Sequence, residues 1–285
     1  MKKRSMLVIM AHPDDESFGI GGTLAKYAAE GVDVHLVCAT GGENGTVEAK
    51  FLEGHASIAA LRAAELQCAA QHLGLASVIM GGYRDSGMAG TDGNEHPDSL
   101  TAQPMEKVAA HFAQVIRQVR PQVVVTHDPI GNYLHPDHIA CNRATELAFA
   151  LAGDAAALPV TDHPAYQPQK LYYHTFPKGT MKLLVRAMRL FGRDPQKFGR
   201  NQDVDILQLA EAGDFPIHAR VDGRAYRQQR EAASACHASQ LAGGPPRNGL
   251  IALFFRLMGG ADTYMRAVPA GDARLRETDL FAGVG

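Results

Sequence analysis

No run in this sequence approaches the roughly 20 consecutive apolar residues that a membrane-spanning helix needs, although 46% of its 285 residues are hydrophobic. Little charge of either sign is left over. Lys and Arg number 28 against 30 Asp and Glu, for a formal net charge of −2, which gives no electrostatic case for nucleic acid. Cysteine is scarce: Cys38, Cys68, Cys141 and Cys236 are scattered without paired spacing. The expectation is a reducing cytoplasm, with neither a disulfide framework nor a cysteine-rich zinc motif. Lys2-Lys3-Arg4 followed by Met6–Ala11 imitates a secretory leader, but its apolar part is too short and runs straight into acids. The length and apolar content suit one domain over residues 1–285 with a large core.

The chain is organised around Leu7-Val8-Ile9-Met10-Ala11-His12-Pro13-Asp14-Asp15-Glu16. Its apolar half has no alternation, the pattern of a strand buried on both faces of a parallel sheet. It then breaks into a histidine, a turn-forming proline and three acids, with Gly19, Gly21 and Gly22 next and Thr23 placed to cap a helix from about Leu24. Open α/β sheets place their sites beyond such strand ends. His12 and Asp15, three apart, are placed to face one ion, which leaves Asp14 and Glu16 for proton transfer. A solvated acidic loop capping the next helix is the alternative for this stretch when it is taken alone.

A second cluster decides between the two. Tyr133-Leu134-His135-Pro136-Asp137-His138 also follows a β-branched run, residues 122–126. Its two histidines are three apart, so one can face a metal while the other faces a substrate. Asp137 is placed to hold a ring N–H, as outer carboxylates at metal sites commonly do.

These blocks resemble the PIG-L (LmbE-like) zinc-dependent N-acetylglucosaminyl de-N-acetylases. The resemblance extends to Thr40-Gly41-Gly42-Glu43, Arg62-Ala63-Ala64-Glu65, Leu73-Gly74, Tyr83-Arg84-Asp85-Ser86-Gly87-Met88 and His237-Ala238-Ser239-Gln240. The Arg-Asp-Ser-Gly-Met block is most similar to members acting on mycothiol-pathway (or bacillithiol-pathway) conjugates. It implies a Rossmann-like α/β fold: a mostly parallel sheet with helices on both faces, residues 1–150 carrying the metal site and 151–285 completing the sheet and covering the pocket. It implies one zinc ion on His12, Asp15 and His138, and hydrolysis of an acetamide on an N-acetylated aminosugar conjugate. Asp14 is then the general base. His135, charged and oriented by Asp137, stabilises the oxyanion with help from Tyr133, and its titration contributes to the basic limb of a bell-shaped rate. Arg62, Asp85 and Glu43 are candidate substrate contacts. Cleavage of thiol S-conjugates is the alternative reaction, and a homo-oligomer is left open.

Along the rest of the chain, residues 32–38 and 77–80 read as strands, 56–73 as a helix stopped by Gly74, and Met105–Val119 as another helix. Without the resemblance, Arg62 and Glu65 are an ordinary surface pair. Glycines 41 and 42 let the backbone approach a ligand. The His-Pro-Asp at 96–98 has no strand before it and is a decoy. Later strands are expected at 170–174 and 216–220, and a helix at 224–237. Met181, Leu184, Val185, Met188 and Phe191 form an apolar stripe opposite Lys182, Arg186, Arg189 and Arg193, a lid or subunit contact with a solvated cationic face, or a membrane-surface helix. Residues 250–255 suit a buried segment or a cover over the pocket. Two other classes are weighed. Gly19-Ile20-Gly21-Gly22 suggests a nucleotide-binding dehydrogenase, but the third glycine of that fingerprint falls at Leu24. A non-catalytic sugar-binding module leaves the proton-transfer residues without a purpose.

Overall fold

The computed structural model describes residues 3–158, 163–197, 205–241 and 261–285; the apolar run at 250–255 lies outside them. Strand β1 (Ser5–Met10) is buried along its whole length. Met6, Val8 and Met10 enter one apolar cluster, while Leu7, Ile9 and Ala11 enter a second on the opposite face. That is why its sequence shows no alternation: both faces are dry.

The chain continues through the single turn α1 (Asp15–Phe18), α2 (Gly21–Ala29), β2 (Asp33–Thr40), α3 (Ile58–Leu73) and β3 (Ser77–Tyr83). It then runs through α4 (Met105–Val119), β4 (Val123–His127), the irregular turn α5 (Gly131–Leu134), α6 (Pro136–Gly153) and β5 (Lys170–His174). Helix α7 (Lys178–Leu190), α8 (Ile206–Glu211), β6 (Ala219–Asp222), α9 (Arg227–Cys236), α10 (Ala238–Leu241) and β7 (Ala261–Val268) complete the described chain. One seven-stranded sheet has the order β3-β2-β1-β4-β5-β7-β6. The first five strands are parallel, and β7 pairs antiparallel with both β5 and β6. The sheet is therefore mostly parallel and Rossmann-like, as expected. β1 and β4 are neighbours although far apart in sequence, so the order reverses between them, and such a switch point is where ligands enter.

Local chemistry explains the ends. Ser57 caps α3 by accepting from the Ala60 N–H at 3.1 Å, and Gly74 closes it at φ 72°. Thr23 does not cap a helix from Leu24. The helix starts at Gly21, and the Thr23 N–H and hydroxyl both donate to Asp262, at 2.9 and 2.7 Å. That carboxylate occupies the place a phosphate would take at a nucleotide-binding helix, which removes the dehydrogenase reading. The expected stripe on α7 packs through Leu184, Val185 and Met188 onto Ile206 and Leu209 of α8. Phe191 does not join them; it is 48% exposed.

The cysteines are not all unpaired, although their scattered spacing led one to expect it. Cys68 of α3 and Cys236 of α9 form a disulfide across 168 residues of sequence. Cys38 and Cys141 are free and buried.

Candidate metal centre

β1 delivers His12 through Asp15, and β4 with the α5–α6 corner delivers His127 through His138. Both strands end at the switch point, so the two clusters meet. His12 Nδ1 lies 3.2 Å from His138 Nε2 and 3.6 Å from Asp15 Oδ2, and His138 Nε2 lies 3.4 Å from Asp15 Oδ2. Metal–ligand bonds of about 2.0–2.1 Å in a tetrahedral site separate the ligand atoms by roughly 3.3–3.4 Å. The three edges match that spacing.

The electrostatics fit a cation. Burial alone would discharge His12, yet Asp85, Asp137 and Asp15 together hold its pKa well above the usual histidine value. Burial, with the neighbouring rings of His127, His12 and His135, keeps His138 neutral and its lone pair available, despite the nearby Asp15. Burial opposes ionisation of Asp15, but His138, His12 and His127 more than offset it. Two imidazoles and a carboxylate suit zinc among borderline ions.

His127, which sequence reasoning passed over, stacks on His138 at 3.8 Å and lies 3.5 Å from Asp15 Oδ2. Its Nε2 accepts from the Ala11 N–H at 3.1 Å, which leaves its Nδ1–H to donate to Asn132 Oδ1 at 2.6 Å. Both nitrogens are occupied, so His127 braces the centre rather than entering it. Asn132 can serve because it takes φ 59° and donates onward to the His174 carbonyl at 2.9 Å. The signal was available: β4 runs one residue past Thr126, so His127 itself is the strand end.

Asp137 orients a ring, but not the expected one. Its carboxylate meets His12 Nε2 at 3.1 Å and accepts from the Ser86 N–H at 2.9 Å. His135 receives only the Asp137 backbone N–H on Nδ1, at 3.2 Å. His135 is therefore neutral, not an imidazolium: burial first, then the His12 charge, lowers its pKa to about 3. A neutral His135 makes no contribution to a basic limb. What remains is an Nε2–H donor, with a ring nitrogen within 4.8 Å of those of His12 and His138. The Tyr133 hydroxyl lies 3.5 Å from His138 Nε2, and burial raises its pKa, so it stays protonated.

The acids divide unequally. Asp14 has φ 118°, a left-handed backbone, and burial pushes its carboxyl up to about 6 against the pull of Arg62. Glu16 is not free for proton transfer. It is fully buried, 2.7 Å from His237 Nε2, and accepts the Asp14 N–H at 2.9 Å. Arg62 is neither a surface residue nor an open substrate contact. It is 3% exposed and donates to Gly42 O, Pro13 O and Asp14 Oδ2, the last at 3.1 Å. Gly42 is needed for this approach: a Cβ there would stand 2.0 Å from Arg62 Nη1. Glu65, also buried, accepts from the Ser239 N–H and hydroxyl, both at 2.8 Å. Asp85 lies 3.5 Å from His12 Nε2 and accepts from the N–H groups of Gly87 and Asn44. Burial opposes its ionisation, but His12 and the Gly87 N–H hold it well below the usual range. Glu43 accepts the Asp85 N–H at 2.8 Å. The expected substrate contacts thus brace the loops in this structure. His96 enters no cluster of metal-ligating atoms among the described residues.

Arg62→Gln removes the cation that lowers the Asp14 pKa. A base must be ionised to work, so activity falls as pH drops through its pKa. The acidic limb of kcat/KM is expected to move to higher pH in Arg62→Gln, with partial return in Arg62→Lys. A limb that stays in place assigns it to a group other than Asp14.

A partly buried acid with its pKa raised to about 6 beside a convergent histidine–carboxylate triangle, at the switch point of a Rossmann-like sheet, marks a hydrolase of the deacetylase class. The chain belongs to the PIG-L family, described as GlcNAc-PI de-N-acetylase, which it matches over residues 7–149. Along its full length it is 38% identical to the 1D-myo-inositol 2-acetamido-2-deoxy-alpha-D-glucopyranoside deacetylase of Thermobispora bispora, covering 100% of both chains. The same-named protein of Geodermatophilus obscurus is 37% identical, with 99% of this chain and 98% of the other covered. In fold it is similar to the N,N'-diacetylchitobiose deacetylase of Pyrococcus horikoshii, at TM-score 0.63 and 18% identity over 93% of this chain and 84% of that one.

Proposed function

We propose that this chain is a zinc-dependent deacetylase that releases acetate from the 2-acetamido group of a glucosaminyl-inositol conjugate. The observation that carries the reading is the triangle of His12 Nδ1, Asp15 Oδ2 and His138 Nε2 beside Asp14, in a chain that aligns with inositol-glucosaminide deacetylases end to end. His12, Asp15 and His138 would hold one zinc ion. When bound, the ion acidifies water and polarises the amide carbonyl. Asp14, ionised above about pH 6, accepts the proton of the attacking water and returns it to the leaving amine. Arg62 and Glu16 fix Asp14 from two sides, through its carboxylate and its N–H. His135 and Tyr133 offer neutral donors to the oxygen on which charge develops. Asp137 holds His12 by Nε2, so that Nδ1 faces the ion.

The test is a panel scored for released amine: the glucosaminyl-inositol acetamide, free N-acetylglucosamine, diacetylchitobiose and a cysteinyl thiol S-conjugate of the same sugar. The first is expected to have the highest kcat/KM. Preference for the S-conjugate would make the protein a conjugate amidase instead.

A further inference from the structure

Cys68 and His72 are one helical turn apart on the surface side of α3, and Cys236 ends α9 opposite them. Ligands at i and i+4 share a helix face, the spacing that lets one helix present two donors to one ion. The two sulfurs and a His72 ring nitrogen lie within 4.8 Å of one another. None of the three belongs to the His12–Asp15–His138 triangle. The sulfurs are joined in the disulfide, so in this state they have no thiolate charge to offer. His72 is exposed and Cys236 half-buried, so the junction reaches the surface and a reductant has access.

We propose that reduction of Cys68–Cys236 opens a second metal site, in which two thiolates and the His72 imidazole bind a thiophilic ion such as zinc. Two electrons from a dithiol enter the S–S bond, which breaks to give two thiols while the dithiol closes to its own disulfide. Ion binding then releases the two thiol protons. Two sulfurs and one nitrogen make a softer donor set than the catalytic triangle, and three protein ligands leave one position for water.

The placement gives the site a structural consequence. Cys236 immediately precedes His237, which holds Glu16, and Ser239, which holds Glu65. Cys68 follows Arg62 and Glu65 on α3. A disulfide and a bound ion would close the same junction behind Asp14, so the junction would remain clipped under oxidising and reducing conditions alike.

The full-length protein is dialysed against zinc before and after treatment with a metal-free phosphine, and the increment in bound ion is measured. The expected increment is about one ion per chain, because the two thiolates supply most of the ligand set. With cobalt as the probe, reduction should add a thiolate-to-metal charge-transfer band, which the sulfur-free catalytic triangle cannot produce. Cys68→Ser and Cys236→Ser should lose both the increment and the band, and His72→Ala should weaken binding while keeping the band. An absent increment, or one that persists in Cys68→Ser, overturns the proposal, since buried Cys38 or Cys141 would then be the source. Loss of the fold on reduction overturns it too. Because the readout is a difference between two redox states, it stands apart from the occupancy of the catalytic triangle.

Discussion

Asp14→Asn is expected to keep its metal and lose about a hundred- to ten-thousand-fold in kcat, the usual worth of a positioned general base. The amide fills the same space and can still receive the Arg62 hydrogen bond, but it cannot take a proton. Asp14 points its carboxylate toward Arg62 at 3.1 Å, while Asp15 is the acid within 3.4–3.6 Å of His12 and His138. Adjacent acids therefore have separable roles. Metal analysis and turnover should be measured on the same sample. Parallel loss of both would make Asp14 a ligand and end its assignment as base.

The second large effect is expected at His138. Its replacement by Ala removes one of three ligands, and bound metal should fall well below one ion per chain, with activity lost in proportion. His127→Ala is the control, because His127 also lies within reach of Asp15. Its two nitrogens are engaged by Ala11 and Asn132, so at saturating zinc this variant should fill the site, with an affinity lower by about 10–100-fold, as for outer partners of metal ligands. Equal loss of metal in both variants would replace the proposed ligand set with one containing His127.

Elements with a strong period or a clear cap were legible in the sequence. The helix Met105–Val119 and the strand Lys170–His174 begin and end where the pattern puts them. The meeting of His12 with His138 was legible because each follows a buried strand in a parallel sheet, whose loops converge at one edge. What could not be read were pairings set by packing across the fold. Glu16 and Glu65 look like surface acids until His237 and Ser239 arrive from the far end of the chain. The four cysteines gave no hint of Cys68–Cys236, because a partner 168 residues away leaves no spacing signature. Asp137 was assigned to the neighbouring ring, when the sheet brings His12 closer to its carboxylate.

Asp14 also exposes a conflict between durability and activity. At φ 118° it occupies a region that side chains with a Cβ rarely adopt, at a cost of about 1–3 kcal/mol. Its carboxyl is partly buried, with the side chain 17% exposed and a pKa raised to about 6. A group whose folded-state pKa is raised contributes stability below its unfolded pKa, and that contribution is lost as pH rises through the folded value. At neutral pH the ionised base therefore opposes folding on both counts. Asp14→Gly relieves both, against an unfolded-chain entropy cost of about 0.5–1 kcal/mol and the loss of the carboxylate that pairs with buried Arg62 at 3.1 Å. The difference in melting temperature between this inactive variant and the parent should therefore move in the variant's favour as pH rises through about 6. The strain is the same at every pH, and only the charge titrates. Keeping such a residue is what is expected where selection acts on turnover and requires only enough stability to stay folded.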